Sequence, residues 1–389
     1  MIVDVVIEKR FYVCSKGKVW TENAFPYVFW TRYLNQFDTV NIVARVHHVD
    51  KPDRLWSEVL GDKVTLTALP GYIGLGQFIR AIPATIKVLK QRRGQANRAI
   101  FRVPGVLSWL YQKFAMVRNM PFGVEVVGDP SDTFASGASA NPIRPIIRAV
   151  FIAMLKNQCR RAKSAGYVTE MALQRRYPPN PQGFSTHYSS ILMVDEDYRE
   201  FQSHNRQHEQ SILCIGNLSQ PYKGCDTMLE ALSILKKKGV LLNLTWIGGG
   251  QLQPQMESLA KQLGVDQQVT FTGNIAERAE IRQHIDNADF FVLASRQEGL
   301  PRVVIESMAR AKVCVATNVG GVNELLAPQW IVERDQPNAL AETIVRAVNL
   351  TPENYAREAE TNYAIAKNYH NDVLTTRREQ MYQFLKEAI

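Results

Sequence analysis

Between residues 211 and 365, short apolar runs alternate with helical patterns, and this alternation constrains the fold more than any other feature of the chain. Each run is suited to a buried parallel strand and is followed by Gly or a turn. The pattern after the first run places apolar residues at three- and four-residue steps and stops at Gly239. Such alternation predicts a doubly wound parallel α/β sheet. The runs cover residues 212–216, 242–247, 269–273, 290–294 and 313–317.

Two carboxylates with an E-x7-E spacing bracket the turn that follows the fourth run. Glu298 precedes Gly299 and Leu300, and Glu306 lies in the helical pattern beyond them. Pro301 is placed at the first helical position, where its missing N–H costs nothing. The Gly299 and Leu300 amides, with the helix dipole, predict a diphosphate site. We expect Glu298 to meet sugar hydroxyls there and Glu306 to reach a ribose. The alternative is a helix cap and a solvated charge.

Loops after the other runs carry further candidates, because ligands of such sheets bind at the carboxyl ends of the strands. Lys223, after the first run, is placed to neutralise a phosphate, or is an ordinary surface lysine. The glycine loop 248–250 allows close backbone approach to phosphate or sugar, or is a tight turn. The segment 269–275 can hydrogen-bond a base edge, or is a strand and a turn. Gly320 and Gly321 belong to the same crevice, or to a turn and helix cap.

Taken together, these motifs resemble the retaining group 1 glycosyltransferases, a family of GT-B fold enzymes that move a sugar from a nucleotide diphosphate. In that family an E-x7-E motif, a Lys-Gly pair after the first strand of the second domain, a G-x-G loop and a Gly-Gly-x-x-Glu segment recur. This chain carries them at residues 298–306, 223–224, 248–250 and 320–324. The resemblance covers the second half of the chain strongly and the first half weakly.

The resemblance implies a role for each matching residue. Glu298 contacts the donor sugar and Glu306 the ribose, while Lys223 and the amides of 299–300 hold the diphosphate. Attack from the same face with retained configuration is also implied, without a metal or other cofactor. The family usually has an Arg where this chain has Asn217, which leaves open how tightly the diphosphate is held. The predicted catalytic residues are Glu298, Lys223 and Asp129, and the predicted donor-binding residues are Gly216, Asn217, Gly249, Gly273, Ser295, Gly299, Leu300 and Glu306.

The first half repeats the alternation from residue 2 onward. We therefore predict a GT-B architecture, with two Rossmann-like doubly wound parallel-sheet domains facing a cleft. The predicted boundaries are 1–200 for the acceptor-side domain, 205–365 for the nucleotide-sugar-binding domain and 366–389 for a C-terminal helix that crosses back to the first domain. Residues 195–210 are interpreted as a solvated linker, although Asp195 and Asp197 mimic a D-x-D metal site. Residues 11–22 are expected to form a loop.

Asp129 follows an apolar strand of the first half, so it is expected to overlook the cleft. Enzymes of the resembled family often have a His near this point, close to the donor sugar. Asp129 is the candidate for its stand-in. The alternative is an Asp-Pro that only forms a turn.

Charge is shared unevenly between the two halves. Residues 1–204 hold 27 Lys and Arg against 16 Asp and Glu, while residues 205–389 hold 19 against 21. One basic cluster is interleaved with apolar residues on a predicted helix, which indicates either an anionic membrane surface or an ordinary helix with a solvated basic side. Nucleic acid is not predicted as a partner, since no nucleic-acid-binding signature accompanies the charge. The two clusters contain Lys87, Lys90, Arg92, Arg93 and Arg98, and Arg144, Arg148, Lys156, Arg160, Arg161 and Lys163.

We therefore predict a glycosyltransferase that moves a sugar from a UDP-sugar to a saccharide acceptor, a lipid-linked intermediate of surface polysaccharide synthesis. Its expected partners are the nucleotide-diphosphate sugar, the saccharide or lipid-linked acceptor and an anionic membrane surface. Two alternatives stay open: a nucleotide-sugar sensor or scaffold without catalysis, and a nucleotide-sugar epimerase. No apolar run has the length of a membrane span and no signal-peptide pattern is present, so we expect a cytoplasmic protein, peripheral at the inner face of the plasma membrane.

Overall fold

The computed structural model describes residues 1–15, 17–22, 24–54, 56–133, 144–202 and 210–388. The chain divides into two compact units. One unit is formed by Met1–Tyr188 with Thr375–Ile389, and the other by Ser189–Leu374. These divisions differ from the predicted boundaries near residues 200 and 366.

The first unit is built on a largely parallel sheet. Its parallel strands lie in the order β5-β3-β1-β6-β7-β8-β9, and β2 and β4 add antiparallel pairs beside the end of β1. The elements are β1 (Ile2–Cys14), β2 (Val19–Thr21), α1 (Tyr27–Leu34), β3 (Thr39–Val49), β4 (Ser57–Glu58), β5 (Val64–Pro70), α2 (Gly74–Arg92), β6 (Arg98–Val103), α3 (Val106–Phe114), β7 (Phe122–Val126), α4 (Pro130–Thr133), α5 (Arg144–Arg161), β8 (Ser164–Tyr167), α6 (Ala172–Arg176) and β9 (Phe184–His187).

A β-hairpin occupies most of residues 11–22, so the expectation of a loop there is wrong. The strand β1 continues to Cys14 and pairs with β2, where Tyr12 lies opposite Trp20. Phe11 is fully buried and Val19 is 3 % exposed. These buried side chains explain why the chain stays extended beyond the first apolar run, since each side of a pleated strand packs separately.

The second unit contains a wholly parallel sheet, with strands in the order β12-β11-β10-β13-β14-β15. The five strands predicted for this part of the chain are confirmed, each within one residue at either end. The elements are β10 (Ser211–Ile215), α7 (Cys225–Lys237), β11 (Asn243–Ile247), α8 (Gln253–Gln262), β12 (Val269–Gly273), α9 (Arg278–Asn287), β13 (Phe290–Leu293), α10 (Arg302–Met308), β14 (Val313–Thr317), β15 (Ile331–Val332), α11 (Pro337–Val348) and α12 (Pro352–Ala366).

The last helix, α13 (Asn371–Glu387), contributes its residues from Thr375 onward to the first unit. Arg98 binds the C-terminal end of α13. Its guanidinium donates hydrogen bonds to the carbonyl oxygens of Leu385 at 2.8 Å and Ala388 at 2.7 Å. Arg98 is therefore not the freely solvated cation that its place in a basic cluster suggests. Arg92, from the same basic cluster, is also not freely solvated, because it pairs with the fully buried Asp4 at 2.7 Å.

A buried carboxylate lies at the centre of the first unit. Glu125, on β7, is 2 % exposed and pairs with the guanidinium of Arg102. Three tyrosine hydroxyls also donate to it, from Tyr33 at 3.1 Å, Tyr188 at 3.0 Å and Tyr382 at 2.5 Å. Because Tyr382 belongs to α13, this network joins the C-terminal helix to the sheet.

Candidate active site

The loops after β10 and β13 lie side by side, because these two strands are adjacent although β11 and β12 separate them in sequence. Such a reversal of strand order is where doubly wound sheets bind ligands. Lys223 follows β10 and Glu298 follows β13, and Lys223 Nζ lies 2.7 Å from Glu298 Oε1. Their side chains are 17 % and 13 % exposed. The structure thus brings two of the predicted catalytic residues together.

Ser295 fixes the orientation of Glu298. The Ser295 hydroxyl donates to Glu298 Oε1 over 2.8 Å, so this oxygen accepts from both Ser295 and Lys223. Ser295 is fully buried, and its own carbonyl accepts a hydrogen bond from the Thr317 hydroxyl. In this structure Ser295 therefore acts on the site through the Glu298 carboxylate.

Gly224 allows the turn that carries Lys223 to pack against the end of β13. The turn is a short 3-10 helix, Pro221–Lys223, and Gly224 closes it with φ at +68°. A Cβ at position 224 would lie 2.0 Å from the carbonyl oxygen of Ala294, far inside van der Waals contact. Both the left-handed backbone and this close approach require Gly. Packing of the turn therefore explains why Gly follows Lys223, independently of the chemical role predicted for the lysine.

A second glycine packs behind the Gly299 turn. Gly320 has φ at +52°, and a Cβ there would lie 2.2 Å from the Gly299 carbonyl oxygen. The Gly321 N–H donates to the same carbonyl over 2.8 Å. In the described ranges, the N–H groups of Gly299 and Leu300 have no acceptor, so they are available to an anion. Pro301 precedes α10 and does not begin it, one residue from the predicted position.

Asn217 supplies no charge to this site and closes its own turn. Its side chain is exposed, and Oδ1 accepts a hydrogen bond from the Ser219 N–H over 2.6 Å. Gly216 is buried beside Lys223, because a Cβ at position 216 would lie 3.0 Å from Lys223 Cγ. The main chain at Gly216 therefore packs against the aliphatic part of the Lys223 side chain, while the hydrogen bond of Asn217 stabilises the turn of the loop.

The predicted donor-binding glycines after β11 and β12 are linked through the backbone. The Gly249 N–H donates to Asn274 Oδ1 over 2.8 Å, and the Gly249 carbonyl accepts from the Leu218 N–H at 3.0 Å. The Gly273 carbonyl accepts from the Gly248 N–H at 2.8 Å. Asn274 lies in the segment 269–275 that was predicted to contact a base edge through its backbone, but the contact made by its side chain was not predicted.

Glu306 lies on α10 beside a cavity of about 50 Å³ that sequence spacing did not reveal. Within the described part of the chain, its half-buried carboxylate has no hydrogen bond or ion pair. Burial raises the pKa of Glu306, and the nearby Arg302 and Arg278 oppose this rise. The cavity is lined by Asp197, Arg278, Ile281, Arg282, Ile285, Glu306 and Arg310. A polar ligand reaching this cavity would meet both an unpaired carboxylate and guanidinium groups.

Asp197 is not a solvated linker residue, so that interpretation is wrong for this position. It is 5 % exposed and accepts from Arg278 at 2.8 Å and Arg282 at 2.9 Å. Its charge is therefore compensated by two guanidinium groups of α9. Over the described residues, no group of three or more His, Cys, Asp or Glu side chains is arranged to hold a metal ion.

Asp129 lies in the first unit with its carboxylate fully engaged. It is 5 % exposed and accepts from the Ser131 N–H at 2.8 Å, the Tyr177 hydroxyl and the Arg176 guanidinium. Burial by itself would raise the pKa of Asp129, but these hydrogen bonds outweigh it and hold the pKa below its usual value. The geometry thus gives Asp129 a local structural task, and its catalytic role stays a prediction.

Comparisons with known sequences agree with this geometry. Residues 209–349 match the family described as Glycosyl transferases group 1. The chain is 26% identical over 324 residues to Protein CapJ of Staphylococcus aureus, covering 83% of this chain and 81% of that protein. It is 29% identical over 144 residues to the amylovoran biosynthesis glycosyltransferase AmsK of Erwinia amylovora, a match that spans 35% of each protein.

Solved structures share the fold over the full length of the chain. Sucrose-phosphate synthase (tll1590) from Thermosynechococcus elongatus matches with a TM-score of 0.71 at 16% identity, covering 100% of both chains. Anabaena Alr3699/HepE in complex with UDP-glucose matches with a TM-score of 0.64 at 15% identity, covering 99% of both. None of the helices in the described ranges has the length and apolar character needed to cross a bilayer. The chain has the GT-B fold, and within it residues 209–349 match the model of the group 1 glycosyl transferases.

Proposed function

We propose that this protein transfers a sugar from a UDP-sugar to a saccharide acceptor with retention of the anomeric configuration. The observation that carries the proposal is the Lys223–Glu298 pair at the reversal of strand order. AmsK is named for amylovoran biosynthesis, and the HepE structure contains UDP-glucose. These names support a nucleotide-sugar donor and a polysaccharide product.

Lys223 is suited to hold the donor diphosphate while it remains paired with Glu298. An ammonium group has three N–H donors, and one of them is directed at Glu298. The other two can reach phosphate oxygens, together with the unpaired amides of Gly299 and Leu300. As the bond from the sugar to the diphosphate breaks, these donors stabilise the charge that develops on the leaving group. The acceptor hydroxyl attacks from the same face, and its proton passes to the departing phosphate oxygen.

Glu298 is suited to orient the donor sugar. Lys223 and Ser295 both contact Oε1, and in the described chain Oε2 has no protein donor. The free oxygen can accept hydrogen bonds from sugar hydroxyls, while the two contacts to Oε1 prevent the carboxylate from rotating. Such pre-orientation contributes to the rate because the reacting groups need no rearrangement.

Calorimetric titration with UDP, GDP and ADP tests the donor site. Loss of a charge-assisted hydrogen bond costs about 1.5–3 kcal/mol, so Lys223→Ala should weaken UDP binding by about 10- to 150-fold. Lys237→Ala is the matched control, because this exposed lysine lies at the far end of α7. Equal affinity of wild type and Lys223→Ala would refute the placement of the donor. Binding of UDP without turnover on any acceptor would favour the sensor alternative, and NMR of the product anomeric proton tests retention.

We propose further that the acceptor is lipid-linked and is reached at an anionic membrane. Leu89 of α2 and Leu155 of α5 belong to the same buried apolar cluster of the first unit. The helix α2 begins at the carboxyl edge of the first sheet, since it follows the parallel strand β5, while α5 comes after β7 and α4. Large apolar side chains are exposed just before α2 and in the first two turns of each helix. They are Ile73 at 60 %, Leu75 at 48 %, Ile79 at 58 %, Ile146 at 67 % and Val150 at 49 %. Exposed cations such as Lys87 and Arg148 lie on the same helices, a combination that suits a charged bilayer surface.

Flotation with vesicles of phosphatidylglycerol and phosphatidylcholine tests this surface. Wild type should float at low salt and less at high salt, because the electrostatic part is screened. Combined Ile79→Asp and Ile146→Asp substitutions should abolish flotation. Val28→Asp is the control, since Val28 is 72 % exposed on α1, outside both helices. If wild type stays in the soluble fraction at low salt, the membrane-borne acceptor is rejected.

A further inference from the structure

We propose that Arg296 is a positioning residue that sets the geometry of the Lys223–Glu298 pair, an inference that rests on the proposed function. Arg296 lies between Ser295 and Glu298 on the loop after β13. Its side chain extends to the opposite loop, which carries Lys223. It therefore ties together the two loops whose side chains form the site.

Every N–H of the Arg296 guanidinium has an acceptor. Nη1 donates to the Pro221 carbonyl at 2.7 Å and to Asp226 Oδ1 at 2.8 Å. Nη2 donates to Asp226 Oδ2 at 2.8 Å and to the Thr227 hydroxyl at 3.2 Å. Nε donates to Asp335 Oδ1 at 2.5 Å. A guanidinium has five N–H donors, and all of them are used.

This saturation decides what Arg296 can do. With no N–H left over, its guanidinium cannot bind a diphosphate without breaking a contact that it already makes. Two aspartates also surround it, which neutralise its charge. Arg296 therefore does not supply the cation that Asn217 fails to provide, and its contribution is geometric.

The contacts of Arg296 lie on both sides of Lys223. Pro221 precedes Lys223 by two residues, and Asp226 follows it by three, in the first turn of α7. The main-chain N–H of Arg296 also donates to the Tyr222 carbonyl at 2.7 Å. On its own loop, Arg296 is two residues before Glu298. The Arg296 guanidinium thus hydrogen-bonds the chain on both sides of Lys223. We infer that these bonds set the distance between the Lys223 ammonium and the Glu298 carboxylate.

Lysine at position 296 cannot reproduce this arrangement fully. Its ammonium is a point charge with three donors, whereas the two parallel bonds to Asp226 need the guanidinium fork. We therefore expect Arg296→Met to weaken UDP binding about tenfold. Arg296→Lys should give an intermediate affinity. Arg346→Met is the control, because it removes an exposed guanidinium of the second unit whose hydrogen bonds within the described residues go to Gln329 and Thr343.

The decisive measurement repeats the UDP titration in the Lys223→Ala background. If Arg296 acts by positioning Lys223, adding Arg296→Met to Lys223→Ala should cause little further loss, since linked residues are not additive. A full additional tenfold loss would overturn the proposal, because Arg296 would then act independently of Lys223. General destabilisation does not produce this pattern, and Arg296→Lys keeps the comparison possible if Arg296→Met folds poorly.

Chemical labelling of Lys223 separates this inference from the proposed function. The Lys223 side chain is 17 % exposed and its amine is paired with Glu298, so acylation by an N-hydroxysuccinimide ester should be slow in wild type and several-fold faster in Arg296→Met. Peptide mass spectrometry reads the labelling of Lys223 without any ligand. Absence of UDP binding by wild type would reject the proposed donor, while faster labelling would still support positioning. Unchanged labelling in both Arg296 variants would overturn the positioning role.

Discussion

Substitution of Gly224 by Ala measures how much the close contact between the two site loops matters. An Ala at φ +68° lies in the left-handed region, which costs about 1–2 kcal/mol. Its Cβ would also lie 2.0 Å from the Ala294 carbonyl oxygen, so the turn must move away from β13. Forcing extra atoms into a packed site costs about 1–3 kcal/mol. The sum predicts a destabilisation of about 2–5 kcal/mol.

Gly239→Ala is the matched control for this substitution. Gly239 follows the other end of α7 with φ at +78°, and a Cβ at this position would have nothing within 4 Å. It should therefore cost only the backbone term of about 1–2 kcal/mol. The difference between the two variants isolates the contact with Ala294. Native-state hydrogen exchange of peptides covering β10 and β13 reports the stability of the second unit without interference from the first.

The Gly224→Ala variant should also bind UDP more weakly, because its turn carries Lys223. A Lys223 moved out of reach of the diphosphate would lose a charge-assisted hydrogen bond, which costs up to about 3 kcal/mol, or about 150-fold in affinity. Gly239→Ala should bind UDP like wild type. If the two variants lose equal stability and bind UDP equally, the close packing of the turn against β13 does not control the site, and the reasoning from Gly224 fails.

Three further predictions concern buried or half-buried charges. Glu125→Gln leaves Arg102 uncompensated and should destabilise the first unit by about 3–5 kcal/mol, measured by hydrogen exchange in β6, β7 and β8; a loss below about 1 kcal/mol contradicts the buried pair. Burial lowers the pKa of Lys312 from 10.5 to about 8, so the unfolded chain binds more protons between these values. The stability of the second unit should therefore rise with pH across that window relative to Lys312→Met, and parallel pH profiles would disprove it. Burial raises the pKa of Glu306 above 4.5, so on acidification UDP affinity should begin to fall at a higher pH than an exposed carboxylate would give; Glu306→Gln should flatten this dependence in pH-resolved titrations.

The strands of the second unit were predictable because both faces of a parallel sheet are covered, which produces continuous apolar runs. Phe290 and Val315 are examples, at 1 % and 0 % exposure. The hairpin of β1 and β2 was not predictable in this way. Its residues mix polar and aromatic types, and its pairing depends on a partner strand. The interpretation of Asp197 as a solvated residue was wrong for a related reason. Its charge indicated exposure to solvent, whereas two arginines of α9 compensate that charge in a buried position.

The sequence by itself determined that Lys223, Ser295 and Glu298 follow two strands of one parallel sheet, because apolar runs and glycines mark strand ends locally. Only the tertiary structure decided that those strands are neighbours, so that the lysine and the carboxylate meet at 2.7 Å. It also decided that Arg296 directs all five donors to acceptors distant in sequence, four of them to Pro221 and the first turn of α7. Spacing along a chain records periodicity, whereas hydrogen-bond partners distant in sequence arise only when the sheet assembles and packs its loops together.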